Sequence, residues 1–197
     1  VPKKLTSIAS KNKYFMNLTG NILIAPPAMK GNFWHKTVIM ITEHHNKGSV
    51  GLVLNRRSNL SVVEFADQLG FAIDVPGFVY VGGPVNTKSL CLLHTNDWIS
   101  KNTLQIDDTF CLSSADDILP RLAMGDAPEQ WRMFLGLSGW APGQLAAEIK
   151  GTPPWNEQHS WCIASADEEM VFGSDEKDQW CKALDRSGLE FAQNLFA

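Results

Sequence analysis

The sequence has only four cysteines, Cys91, Cys111, Cys162 and Cys181, and no two of them form a Cys-x-x-Cys pair. That excludes a zinc ribbon and a dithiol redox motif, and it predicts buried free thiols in a reducing compartment. No stretch approaches the ~20 consecutive apolar residues that a membrane-spanning helix requires, and the opening residues lack the apolar middle of a secretory signal. A soluble cytoplasmic protein with no membrane partner is expected. Basic clusters are also missing. Lys3, Lys4, Lys11 and Lys13 fall in the first fifteen residues with no acidic partner, which leaves 13 basic against 21 acidic side chains in the remainder. A body that acidic repels phosphate backbones, so no specific nucleic-acid binding is expected.

What is present suits one core. At 197 residues the chain is long enough for a single sizeable domain and scarcely for two. The reading is a disordered basic extension over 1–15 and one globular domain over 16–197, with Met16 a candidate for the natural start. Internal repeats and low-complexity linkers are absent.

Asn21-Ile-Leu-Ile-Ala-Pro-Pro27 predicts a short buried strand stopped by prolines. Thr37 to His44 and Ser49 to Asn55 flank His45-Asn-Lys-Gly48, the strongest hairpin signal in the chain. Apolar positions 60, 62, 63, 65, 66 and 69 make a helical stripe with Ser61 near its start and Gly70 as its stop. Further strands are predicted over 77–81, 90–94, 103–106, 110–112 and 160–164, with 85–89 as a linker. Ser113 or Ser114 should cap a helix reaching about Met124, clipped or kinked by Pro120, and a helical turn is expected over 127–131. Ser174 should cap a helix running toward Arg186, with Gly188 separating it from a terminal turn. Hairpins mixed with non-alternating helices imply an α+β fold, a single compact domain of mostly antiparallel sheet with packed helices.

The richest stretch is Phe134-Leu-Gly-Leu-Ser-Gly-Trp-Ala-Pro-Gly-Gln-Leu145, which reads as a strand, a tight turn and a helix start. Such a corner leaves backbone N–H groups free for an anion or carbonyl. Around it the ligand-binding candidates are Ser138, Gly139, Trp140, Gly143 and Gln144, with Gly82, Gly83 and Pro84 at a strand end, His94 at another, and Asn55 and Arg56 after the hairpin. Each has a plainer structural reading as a turn, a core group or a surface ion pair. Ser138 with His94, oriented by Glu43 or Asp116, is the weak catalytic alternative, but the Gly-x-Ser-x-Gly elbow is absent. No metal site is expected, because adjacent His44 and His45 point to opposite faces of a strand. No cofactor is indicated.

The residues from Met16 to about Phe191 resemble the AlgH/YqgE family of small bacterial proteins. The shared elements are Asn17 to Pro26, Glu43-His44, Gly48 to Arg56, Val81-Gly-Gly-Pro-Val85, Leu93-His94, Ser138 to Leu145, Ala166-Asp167, Val171-Phe-Gly173, and Trp180 with Ala183 and Leu184. The resemblance implies a cytosolic domain of coiled, branched sheet with helices packed on it, in a family carrying a transcriptional-regulator label but no established activity. Lys88-Ser89 stands where the family often has Asp-Arg, and Ala146 where it has Glu, so roles resting on those residues do not carry over. Glu148 falls where the family's later carboxylate would.

Three readings follow. The first is a ligand-binding or regulatory protein whose pocket joins the glycine corners, for a small anionic or carbonyl-bearing ligand. The second is a hydrolase or transferase using Ser138 and His94. The third is an interaction scaffold presenting an exposed aromatic patch that includes Trp34 or Trp155.

Overall fold

The computed structural model describes residues 17–154 and 160–195. The expected extension over 1–15, Met16 and Trp155 lie outside them. Among the described residues ten strands make one branched sheet: β1 (Asn21–Ile24), β2 (Val38–His45), β3 (Gly48–Val53), β4 (Arg57–Ser61), β5 (Phe78–Val81), β6 (Val85–Thr95), β7 (Thr103–Gln105), β8 (Phe110–Ser114), β9 (Trp131–Trp140) and β10 (Cys162–Ser165). The main path runs β10-β1-β2-β3-β9-β6-β8-β7, antiparallel throughout. Among the described residues four α-helices pack on it: α1 (Val62–Gln68), α2 (Ala115–Ala123), α3 (Gln144–Ile149) and α4 (Glu176–Leu195). The fold is α+β, as expected.

Strand β9 is where the sheet forks. Along one side it pairs with β6, while its other side meets β5 in parallel at Met133 to Leu135 and β3 at Ser138 to Trp140. The switch is made at Gly136, whose φ of 71° suits glycine. Gly82 and Gly83 cross there, and Cβ atoms built on them would lie 2.3 Å from the carbonyl oxygens of Gly136 and Leu137 respectively. The Gly-Gly-Pro motif is thus a backbone crossing at the fork.

Both sheet faces are covered, so neighbouring residues of one strand enter different cores. Ile22, Ile24 and Met40 face the core under α4, whereas Leu23, Ile39 and Ile41 join Trp140, Leu145 and Trp161 beside α3. Leu92 and Met133 pack with α1 and α2, while Leu93 and Phe134 turn to the α4 side. A sheet buried on two faces explains the near-continuous apolar runs.

Helix α1 begins with a full capping box, in which Ser61 Oγ accepts from the Glu64 amide and Glu64 accepts from the Ser61 amide. Several local expectations are corrected. The linker over 85–89 is the first half of β6, β4 was not foreseen, and 127–131 forms no helical turn before β9. Pro120 sits inside α2 without ending it. The α4 cap comes from Asp175, which accepts from the Lys177 amide at 2.8 Å, instead of Ser174. Gly188 does not end α4, because a helix already docked by Gln179 and Ala183 tolerates a penalty of about 1 kcal/mol.

Helix α4 also covers the sheet edge at β10. Ser187 Oγ donates to the Ile163 carbonyl at 2.8 Å, the Ser165 amide donates to Glu190 at 3.1 Å, and Arg186 reaches the Ser165 carbonyl at 3.4 Å. Three outward backbone groups of the edge strand are thereby satisfied by side chains.

Candidate functional site

The expected corner is built around a buried carboxylate. Glu148 Oε2 accepts from the indole N–H of Trp140 at 2.9 Å and of Trp161 at 2.8 Å, and its Oε1 accepts from Gln144 at 2.8 Å. Gln144 in turn accepts from the Ala141 amide at 3.0 Å, so the turn before α3 satisfies one of its own N–H groups. Gly143 holds φ 75° at the cap of this short helix, and Gly139 lies in β9 opposite Val50. Trp34 is half-buried and stacks on Trp140, with ring centroids 6.4 Å apart.

Asn55 and Arg56 serve the same region from the other side. Asn55 accepts from the Val38 amide at 3.1 Å and donates to the Lys36 carbonyl at 2.8 Å. Arg56 donates to the carbonyls of Phe33 at 3.2 Å and His35 at 2.6 Å, bracketing Trp34. Arg56 and Trp140 are therefore connected through Trp34, which stands where a shared hollow was expected.

Ser138 and His94 are not paired. Ser138 Oγ donates to the Gly82 carbonyl at 3.0 Å, while His94 Nε2 meets Ser113 Oγ at 2.9 Å. Both side chains are fully buried. Pro84 is exposed and lines a shallow hollow of about 400 Å³ with Asn86, Thr87, Lys88 and Ser89. Among the described residues, no three His, Cys, Asp or Glu side chains are grouped to hold a metal.

A different hollow, of about 700 Å³, opens between β4, β5, the start of β9 and residues 172–176. Register places Arg57 opposite Tyr80 and Tyr80 beside Phe134, so alternate residues Phe78, Tyr80 and Arg132 reach this face. Arg57 lies over the Phe78 ring at 4.6 Å and Arg132 over Tyr80 at 4.8 Å. Arg132 is only 8% exposed and donates to the carbonyls of Leu54, Phe172 and Ser174 at 3.0, 3.2 and 3.3 Å. None of the ion pairs among the described residues involves it. Burial works against its charge, and nearby Glu176 supports it. Tyr80 donates a very short hydrogen bond to Glu176, and burial with that bond pushes its phenol up to about 12.

The carbonyl of residue 172 belongs to a π-helical turn over Glu169–Gly173, and that of Ser174 to the extended residue that ends it. Such turns are rare and gather at functional sites. Sequence reading passed over Arg132, Tyr80 and Glu176. A charged residue inside the apolar run Trp131-Arg-Met-Phe-Leu was the available signal, since a buried arginine needs a reason.

Residues 22–192 match the family model DUF179, described as AlgH-like. The chain belongs to the AlgH-like family. A UPF0301 protein of Gluconobacter oxydans is 38% identical over 86% of this chain and 90% of its own length, and one of Marinomonas sp. is 32% identical over 92% and 95%. The solution structure of the AlgH protein from Pseudomonas aeruginosa superposes with a TM-score of 0.71 at 30% identity, covering 90% of this chain and 93% of that one. A crystal structure from Corynebacterium diphtheriae, at 24% identity and a TM-score of 0.67 over 85% and 86%, shares the fold. The AlgH-like family has no established biochemical function. Among the described residues of this AlgH-like chain, no helix is long and apolar enough to cross a membrane.

Proposed function

We propose that this protein is a small-ligand-binding or regulatory protein whose ligand sits in the hollow walled by Arg57, Tyr80, Arg132 and Glu176. The observation that carries the reading is Arg132, a buried guanidinium whose three carbonyl bonds leave two of its five N–H groups for another acceptor. Glu176 and the Tyr80 ring offset only part of the cost of holding that charge in the wall, and an anionic or carbonyl-bearing group would complete it. Arg57 lies at the rim as a second planar donor fork, and Glu176 takes a donor from the same molecule. A small carboxylate or phosphate that also carries a hydroxyl or amine fits this mixture. Nucleic acid fits it poorly, because Glu129 and Asp175 share the lining.

The test is an NMR titration of the protein with a panel of small carboxylates and phosphates. Shifts confined to β5, Arg132 and residues 172–176, weakened at least tenfold in Arg57→Ala, are expected. Shifts centred on Trp140 and Glu148 would move the site back to the glycine corner. No response to any member of the panel would overturn the binding reading.

A further inference from the structure

A hydrogen-bonded chain runs from the core to the surface on the side of the sheet away from the hollow. His94, fully buried on β6, places Nδ1 2.7 Å from the Thr95 carbonyl oxygen and Nε2 2.9 Å from Ser113 Oγ. Ser113 Oγ lies 2.7 Å from Thr103 Oγ1, which lies 3.0 Å from Ser100 Oγ. Ser100 Oγ is 2.7 Å from Asp117 Oδ2, at the half-exposed start of α2. Four contacts therefore join an imidazole to a carboxylate through three hydroxyls.

The chain holds fewer protons than contacts when both ends are in their ordinary neutral-pH forms. A carbonyl oxygen only accepts, so Nδ1 must carry hydrogen, and a neutral His94 then offers Nε2 as a lone pair. An ionised Asp117 also only accepts. Three hydroxyl protons must then serve four contacts, and one contact has none. Hydroxyls directed outward from the middle leave the gap between Ser100 and Thr103, the longest of the three oxygen–oxygen contacts.

One added proton closes the gap in either of two ways. With His94 protonated, every bond points toward Asp117; with Asp117 protonated, every bond points toward His94. Thr103 satisfies both arrangements, because the Ser100 amide donates to it at 2.8 Å and fills its second lone pair each time. We propose that His94, Ser113, Thr103, Ser100 and Asp117 form a relay that binds one proton as a unit. Passing the proton outward breaks the Nε2–H bond and three O–H bonds and forms four O–H bonds, the last on Asp117 Oδ2. No other reactant is needed.

The charges around the relay set where it fills. Burial is what mainly opposes a charge on His94, with Arg121 of α2 adding to it, whereas the Thr95 carbonyl and then Asp97, on the loop after β6, draw a proton toward it. Arg121 is itself held by Asp126 and lies 3.8 Å from the centroid of the Trp98 ring, whose edge meets His94. The Ser100 hydroxyl, then the Asn102 amide that donates to Asp117 Oδ2 at 2.9 Å, and least Lys101, favour the ionised form of Asp117. Cys111 of β8 and Trp131 of β9, the register partners of His94, bring no charge at neutral pH. Uptake accordingly lies below the ordinary histidine range.

The test is the ring-nitrogen and carboxyl NMR of the whole protein through an acid titration. At neutral pH, His94 is expected as the Nδ1–H tautomer, and on acidification His94 and Asp117 are expected to report one shared step. Thr103→Val cuts the chain without changing its volume much, and should lower the His94 midpoint by about one unit and abolish the shared step. An Nε2–H tautomer at neutral pH would overturn the relay, as would an unchanged His94 midpoint in a natively folded Thr103→Val. Should that variant fail to fold, Ser100→Ala at the solvent end gives the same two outcomes.

Discussion

Gly82 lies against the carbonyl of Gly136 so closely that a Cβ added to Gly82 would stand 2.3 Å from that oxygen. Neither partner can retreat, since the Gly82 amide donates to Leu135 at 2.8 Å and its carbonyl accepts from the Val53 amide at 2.9 Å. Gly82→Ala is therefore expected to cost about 2–4 kcal/mol by forcing β5 away from β9. Urea denaturation measures it, and a loss below about 0.5 kcal/mol would mean that the fork flexes freely.

Removing the carboxylate of Glu148 should be comparably severe. Glu148→Ala leaves two buried indole N–H groups without an acceptor, and each such group costs about 1–3 kcal/mol. Glu148→Gln keeps one carbonyl oxygen and should lose less. Tryptophan fluorescence followed through chemical unfolding reads both variants, and wild-type stability in Glu148→Ala would contradict the buried network.

Acid should weaken the fold in a window set by His94. Burial depresses its pKa in the native state, so the unfolded chain binds a proton more readily. Stability from this group is complete above the ordinary histidine value of about 6.5 and is lost as pH falls toward the native-state value. After the relay has taken its one shared proton, Asp117, held low first by the Ser100 hydroxyl and then by the Asn102 amide, adds a further loss when a second proton binds below the usual carboxylate range. Denaturation midpoints measured from pH 7.5 to 4.5 should fall, and His94→Gln should flatten the upper part of that curve. A wild-type profile that is level across this interval would contradict the assignment.

Thiol reactivity should separate the cysteines by position. Cys181 is exposed on α4, Cys111 is buried, Cys91 and Cys162 are half-buried, and burial pushes the Cys91 thiol up to about 12. A thiol-specific reagent on the native protein is expected to modify Cys181 first and Cys91 only after denaturant is added. Early labelling of Cys91 in mass spectrometry would refute this order.

The fold was legible wherever local chemistry decided it. The hairpin at residues 45–48, the Ser61 cap and the stop at Gly70 follow from turn and capping residues alone. What escaped was tertiary. The stretch 85–89 looked like a linker because its side chains are exposed, yet β9 supplies a pairing partner at Val85. Gly188 looked like a break because docking of α4 is not written in its immediate neighbours. At the glycine corner, the signals read as a binding site have structural causes in a backbone crossing and a carboxylate bound by two indoles, both set by residues distant in sequence. Arg132 was missed because its meaning comes from carbonyls 40 and more positions away in sequence.

The side chains of Ser187, Glu190 and Arg186 give α4 the part of a chain terminator for the β-ladder. Without that turn of helix, β10 would offer a bare template to an edge strand of another molecule. The polar side chains of α4 thus keep this edge from being a template, and a truncation ahead of Arg186 should leave β10 uncovered and make the chain prone to strand-by-strand association.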